Sequence, residues 1–247
     1  MAIEGVAVPT LICERLILQP LSAAHSAGMF AMWSQAAVCE YSGVAYDVRG
    51  EPIVLPARTP ADSDKIIDFF VKSAAAGTRF RWALVTASEG EFIGAAGFNA
   101  LGACSEYAYH QDPSFWGQGF MTEASQAAFD WLRTQPGCEE VEAFIEPANK
   151  ASIGLATRLG LRATGALAGG AERYAMSIRE WRTLNAHSDA TLWRKTSAFS
   201  AGPGGALHAT FPANRNSLPA KRRGGRKAHR QDGALPREGR HQTEDDQ

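Results

Sequence analysis

Residues 116–123 read WGQGFMTE, and this short segment is the most informative part of the sequence. It joins an extended run, Glu106–Gln111, to an amphipathic run, Thr122–Arg133. A tight turn from a strand into a helix points several backbone N–H groups at one spot, and the helix N-terminus adds partial positive charge there. Gly117 and Gly119 lack the Cβ atoms that would block a phosphate. The segment predicts an anion-binding turn, with a plain glycine-containing connection as the alternative.

Hydrophobic periodicity on both sides of this turn predicts alternating strands and helices. Strands are expected at Leu11–Leu18, Phe80–Thr86, Glu91–Asn99, Glu106–Gln111, Val141–Ile145 and Arg173–Ile178. Helices are expected after Ser22, from Thr59 to near Gly77, over Thr122–Arg133 and over Ser152–Leu159. This order favours an α/β layer with a mixed sheet.

Residues 41–60 are predicted to form a long irregular loop, because glycine and proline interrupt them five times. A loop of this length is unusual in a compact domain and often borders a binding site. The alternative is a surface excursion without a function, and the sequence leaves both interpretations open.

Residues 186–247 differ in kind from the rest of the chain. They contain 11 Lys or Arg and 6 Asp or Glu, a net charge of +5, which leaves −6 for residues 1–185. Large apolar residues are scarce in this segment, so burial cannot offset the entropy cost of ordering it. The sequence therefore predicts a folded domain over 1–185 and a low-complexity, disordered basic tail over 186–247. The basic cluster at 221–230 could contact nucleic acid, but the acidic end at 244–246 argues against that function.

The four cysteines, Cys13, Cys39, Cys104 and Cys138, are widely spaced and form no C-x-x-C motif. This spacing argues against a disulfide framework or a metal site and favours reduced thiols. No apolar run approaches the roughly 18–20 residues that span a bilayer. The N-terminus lacks the basic region of a secretory signal, so a cytoplasmic protein without a membrane partner is expected. The sequence leaves the oligomeric state open between monomer and homodimer.

Five segments together resemble the GNAT family of N-acetyltransferases, in the branch that contains the RimJ/RimL-type ribosomal-protein-alanine N-acetyltransferases. They follow the family's order and cover roughly residues 11–182. The segments are Cys13–Leu18 (CERLIL), Phe92–Gly97 (FIGAAG), Tyr109–Ala124 (YHQDPSFWGQGFMTEA), Glu146–Leu161 with its Asn149, Ser152 and Leu159-Gly160-Leu161, and Arg173–Met176 (RYAM) with Trp181.

The resemblance implies a GNAT fold of the α/β (α+β) class, in which helices flank a central mixed, mostly antiparallel sheet. It also implies an enzyme that transfers an acetyl group from acetyl-CoA to a primary amine. It also implies the cofactor-binding residues: Tyr109, His110 and Gln111 along the pantetheine arm, Trp116, Gly117, Gln118, Gly119, Phe120, Met121 and Thr122 around the pyrophosphate, and Asn149. The amine would attack the thioester directly, and the chemistry needs no metal. The acceptor amine stays open between a protein N-terminus and a small molecule such as an aminoglycoside or a polyamine.

The family pattern points to two catalytic candidates. Glu106 would accept a proton from the amine through water, or would simply be a solvated carboxylate at a strand end. Ser152 would meet the leaving thiolate, or would simply stand in the first helical turn. His110 is a less favoured base, because its neighbours bind through the backbone, and its ring is expected to be packed or solvated. Asn149 would bind the pantetheine amides, cap the helix, or do both.

The sequence departs from the family pattern at three positions. Ser114 stands where Gln or Arg often precedes the first glycine of the turn. Ala156 stands where many members have the tyrosine that protonates the thiolate, so the general acid is unassigned. Leu161 replaces the usual phenylalanine. The competing hypotheses are a non-catalytic acyl-CoA-binding module with the same fold and a nucleic-acid-associated protein that works through its tail.

Overall fold

The computed structural model describes residues 7–185, and these residues are built around one sheet of eight strands. The strands are β1 Leu11–Ile12, β2 Leu16–Pro20, β3 Phe80–Thr86, β4 Phe92–Ala100, β5 Cys104–Gln111, β6 Glu140–Ile145, β7 Arg162–Ala168 and β8 Ala171–Ser177. Their order in the sheet is β1-β2-β3-β4-β5-β6-β8-β7. Only the β5–β6 pair is parallel, so the sheet is mixed and mostly antiparallel. The expected fold class is confirmed.

Helices cover both faces of this sheet. They are α1 Ser26–Trp33, α2 Ala36–Cys39, α3 Pro60–Ala75, α4 Phe120–Leu132, α5 Lys150–Arg158 and α6 Ile178–Asn185. Within residues 7–185, no helix is long and apolar enough to cross a membrane. The predicted tail at 186–247 lies outside the described residues.

Alternation along β3 shows how one strand supplies both cores. Phe80 and Trp82 point to the α4–α6 face, where their rings make edge-on contacts with Trp131 of α4. Ala83, one residue further, points to the opposite face and packs in the α1–α3 core. Successive side chains of a strand point to opposite faces, so a strand buried on both sides reads as a continuous apolar run. This is why β3 was predictable.

Four elements differ from the expectations. The opening strand is a hairpin, β1–β2, because the chain reverses after Ile12 and the Cys13 N–H donates to the Leu16 carbonyl at 2.8 Å. Strand β7 was missed, since all seven of its residues are exposed and show no apolar alternation. Helices α2 and α6 were not predicted either. The loop at 41–60 is irregular as predicted, and its Ile53 and Ala57 are buried in the α1–α3 core.

The feature that positions the site is a fork between β5 and β6. The two strands pair over only three positions, which end at Glu106 opposite Glu142. Beyond this point β5 stays paired with β4 as far as Gln111, while β6 stays paired with β8 as far as Ile145. The β5 segment 107–111 therefore has a strand neighbour on one side only, and its other edge borders the fork.

Candidate active site

The turn at 116–123 follows β5 after one intervening 3₁₀ turn, Pro113–Phe115. Gly117 and Gly119 have φ angles of +72° and +80°, and Gly119 is the N-cap of α4. Such angles are readily adopted by glycine and costly for β-branched residues. The six N–H groups of residues 117–122 donate to no described residue. The Trp116 N–H donates to the Pro113 carbonyl at 3.1 Å. Of the residues expected around the pyrophosphate, Trp116 therefore has no unpaired backbone N–H to offer.

Arg15, directly before β2, contacts this turn through hydrogen bonds and through the ring of Phe120. Its Nε and its backbone N–H donate to the two carboxylate oxygens of Glu123, at 2.8 and 2.7 Å. Its Nη1 donates to the Gln118 carbonyl at 2.9 Å, and its guanidinium lies 4.5 Å from the ring centre of Phe120. Arg15 belongs to the CERLIL segment, but no local pattern in the sequence indicates these contacts with residues more than 100 positions away.

The first turn of α5 lies across the fork from β5. Asn149 caps this helix, because its Oδ1 accepts from the Ser152 N–H at 3.1 Å. The Tyr109 hydroxyl, from β5, donates to Ser152 Oγ at 2.8 Å. That bond uses an acceptor site of the serine oxygen and leaves the serine proton for another acceptor. Burial raises the pKa of Tyr109, so this hydroxyl keeps its proton at neutral pH.

Glu106 lies on the opposite face of the sheet, at the base of the fork. Its Oε1 accepts from Asn99 Nδ2 at 2.6 Å, and its Oε2 has no hydrogen-bond partner among residues 7–185. Its neighbour Glu142 is held differently, since the guanidinium of Arg173 forms ion pairs with both Glu142 and Glu140. The two carboxylates where the strands part therefore differ in their partners: Glu106 accepts from a neutral amide, whereas Glu142 is paired with a cation.

His110 is packed, which is one of its two expected environments. Its ring lies 4.3 Å from that of Trp33 of α1, centre to centre. Burial, and secondarily the Arg81 guanidinium, lowers the pKa of His110 to about 3. The imidazole is therefore neutral at physiological pH and held against an aromatic wall.

The pKa of His110 predicts a pH dependence of stability. Between pH 6.5 and about pH 3, the His110 imidazole binds a proton in the unfolded state but not in the folded state. The free energy of unfolding therefore decreases as the pH falls from 6.5 towards 3. We expect His110→Phe to remove this loss. The free energy of unfolding of the variant, relative to that of the parent, should rise by about 2 kcal/mol when the pH is lowered from 8 to 5. Urea unfolding at both pH values measures it, and the difference at pH 8 corrects for altered packing. Parallel stability curves for the two proteins would contradict the assignment.

The family model described as "Acetyltransferase (GNAT) domain" matches residues 15–162, which contain the turn, the fork and the α5 cap. The chain belongs to the GNAT family. This GNAT chain is 26% identical, over 161 residues, to an uncharacterized N-acetyltransferase, p20, of Bacillus licheniformis, covering 64% of this chain and 85% of that protein. GNAT enzymes use acetyl-CoA, so the activity class is an acyltransferase.

Solved structures with the same fold include two with named activities. One is RimL, a ribosomal-protein α-N-acetyltransferase in complex with coenzyme A (TM-score 0.53, 19% identity, 67% of this chain and 95% of that one). The other is a spermidine N-acetyltransferase from Vibrio cholerae (TM-score 0.55, 16% identity, 70% of this chain and 99% of that one). At these sequence identities, the similarity shows that this GNAT chain shares their fold and does not extend to their substrates.

The structure groups the predicted site residues of this GNAT protein into two sets around the fork. Tyr109, Asn149 and Ser152 lie together on the α4–α5 side. Glu106 and His110 lie on the α1–α3 side, where sequence reasoning had placed no partners for them. The sequence did not indicate Arg15, whose contacts lie more than 100 residues away, nor Asn99 and Arg81, whose contacts depend on strand register.

Proposed function

We propose that this protein transfers the acetyl group of acetyl-CoA to a primary amine, as the RimJ/RimL-like branch does. The observation that carries the proposal is the free edge of β5 beside a turn with six unpaired N–H groups. A strand edge accepts an extended, amide-containing arm by main-chain hydrogen bonds. Unpaired N–H groups at a helix N-terminus accept a pyrophosphate. The strand edge would hold the pantetheine arm, and the turn that follows it in the chain would hold the pyrophosphate to which that arm is joined.

The residues expected to hold acetyl-CoA divide between these two features. The backbone of Tyr109, His110 and Gln111 would pair with the pantetheine arm, and the N–H groups of 117–122 would bind the pyrophosphate. The side-chain nitrogen of Asn149, Nδ2, donates to no described residue, since the cap uses only Oδ1 of this side chain. This group is available to the pantetheine amides. Bound there, acetyl-CoA supplies an activated acyl group.

The protein's own contribution is to hold proton-transfer groups on the two sides of the fork. Glu106 offers a carboxylate oxygen on the α1–α3 face, where it would take a proton from the ammonium through water. On the α4–α5 face, Ser152 would donate a hydrogen bond to the leaving thiolate, in the place of the missing tyrosine at Ala156. If its proton is transferred, the Tyr109 hydroxyl that donates to Ser152 Oγ would replace it. In this arrangement the proposed proton acceptor and the proposed hydrogen-bond donor lie on different faces of the sheet, so each would serve one step.

Removing the Ser152 hydroxyl tests the acid. We expect Ser152→Ala to lower kcat about tenfold, because a hydrogen bond to a developing charge contributes about 1.5 kcal/mol or more. The affinity for acetyl-CoA should change little. Thr157→Ala is the matched control, since Thr157 on the same helix donates its hydroxyl to the Ile153 carbonyl, away from Tyr109. Equal kcat values for the two variants would remove Ser152 from the mechanism.

The proposed function is tested by calorimetric titration with acetyl-CoA, followed by a CoA-release assay over a panel of amines. The panel holds peptides with free alanine or serine N-termini, spermidine and an aminoglycoside. Release of CoA with one class identifies the acceptor. The absence of measurable affinity for acetyl-CoA would refute the proposal, and affinity without turnover would favour the non-catalytic acyl-CoA-binding module. The net charge of −6 over residues 1–185 favours a cationic acceptor through its long-range field.

A further inference from the structure

A β-bulge in β4 brings the Asn99 side chain to Glu106. Phe98 pairs with Tyr107 and Ala100 pairs with Glu106, so Asn99 is the extra residue between them. Bulges re-aim a side chain and often occur next to active sites. Here the bulge directs the Asn99 amide to the carboxylate, and Nδ2 donates to Glu106 Oε1 at 2.6 Å.

Arg81 fixes the orientation of that amide. Its guanidinium donates to Asn99 Oδ1 and, at 3.1 Å, to the Phe80 carbonyl, and it lies 4.3 Å from the ring centre of Phe70 in α3. Arg81 is only 5% exposed. An arginine donates and never accepts, so Oδ1 of the amide must face Arg81 and Nδ2 must face Glu106. Burial lowers the pKa of Arg81 to about 10, and the group remains a cation at neutral pH.

We propose that Asn99 and Arg81 are positioning residues, which hold the Glu106 carboxylate by one oxygen and aim the other at the amine side of the fork. The inference rests on the proposed function, since it presupposes that Glu106 is the base. It adds a chain of three side chains from three strands, β3, β4 and β5, in which a buried cation acts on the base through a neutral amide.

The comparison with Glu142 shows why the amide stands between the two charges. Arg173 contacts Glu142 directly, and an arginine–carboxylate pair of this kind ties the carboxylate to a cation. A direct contact between Arg81 and Glu106 would weaken the base in the same way. The Asn99 spacer keeps the cation one side chain away, while its hydrogen bond still restricts the carboxylate to one rotamer. A base works only when it is held within hydrogen-bond reach of the proton it removes.

A double-mutant cycle tests this inference. The proteins are the parent, Asn99→Ala, Glu106→Gln and the double variant, assayed for kcat with the amine that the parent accepts. We expect Asn99→Ala to lower kcat about tenfold in the parent and less than about twofold in the Glu106→Gln background, because residues that act as a unit are not additive. A merely structural asparagine would lower kcat by the same factor in both backgrounds, and that result would overturn the inference.

Further controls separate this outcome from misfolding and from failure of the proposed function. Asn99→Asp is nearly isosteric and keeps an acceptor for Arg81, but an ionised aspartate cannot donate to Glu106. It should lose kcat as Asn99→Ala does while it keeps the parent's acetyl-CoA affinity. Full activity in Asn99→Asp would overturn the inference. Absence of turnover in the parent itself would refute the proposed function, and the inference with it, before any variant is compared.

Discussion

Replacing Gly119 with valine should weaken acetyl-CoA binding at least about 100-fold. Gly119 has a φ of +80°, and a Cβ there would stand 3.4 Å from a guanidinium nitrogen of Arg15. A β-branched residue is strained at that angle, so the turn must change its backbone and withdraw N–H groups from the pyrophosphate. A hydrogen bond to a charged group contributes about 1.5–3 kcal/mol. Loss of two such bonds reaches the expected factor, since about 1.4 kcal/mol corresponds to tenfold in Kd.

Gly137→Val is the matched control for this variant. Gly137 has a φ of +75° and lies beyond the C-terminal end of α4, at the far end of the helix from the turn. Both substitutions impose the same kind of backbone strain, and thermal unfolding will show comparable losses of stability. Calorimetric titration should find parent-like acetyl-CoA affinity in Gly137→Val alone. Parent-like affinity in Gly119→Val would mean that the phosphates bind elsewhere.

The turn was predictable from the sequence because everything it needs is local. Two glycines, a preceding strand and a following helix fall within about 25 residues, and each has its own sequence signal. The central strands were predictable for a similar reason, since their apolar runs reflect burial on both faces. The β1–β2 hairpin gave no such signal, because its reversal at Cys13–Arg15 contains neither glycine nor proline.

The surroundings of Glu106 were not predictable because they depend on register. Arg81, Asn99 and Glu106 lie on three strands, and they meet only because a bulge shifts the β4–β5 pairing by one residue. An asparagine near the end of a strand carries no mark of such a shift. The sequence could therefore nominate Glu106 as a carboxylate at a strand end. It could not distinguish a base held by one oxygen from a solvated side chain.

Replacing Glu106 with glutamine should lower kcat about 100-fold or more, the contribution typical of a general base. Glutamine keeps the size of the side chain and an oxygen that accepts from Asn99 Nδ2, so the fold and the acetyl-CoA site are preserved. What is lost is the free carboxylate oxygen that takes the proton. Steady-state assays with a saturating amine, together with calorimetric titration, should show a reduced kcat at an unchanged Kd for acetyl-CoA.

Glu142→Gln distinguishes a base from a general effect of charge at the fork. Glu142 stands opposite Glu106 in the β5–β6 pair, so both variants remove one negative charge at the same depth. Arg173 retains Glu140 as a partner when Glu142 is replaced, and kcat should stay within about threefold of the parent. If the two variants lost activity equally, the fork would act through its summed field on a cationic amine. A loss confined to Glu106→Gln supports a proton acceptor at that one position, because each variant removes one formal negative charge at the fork.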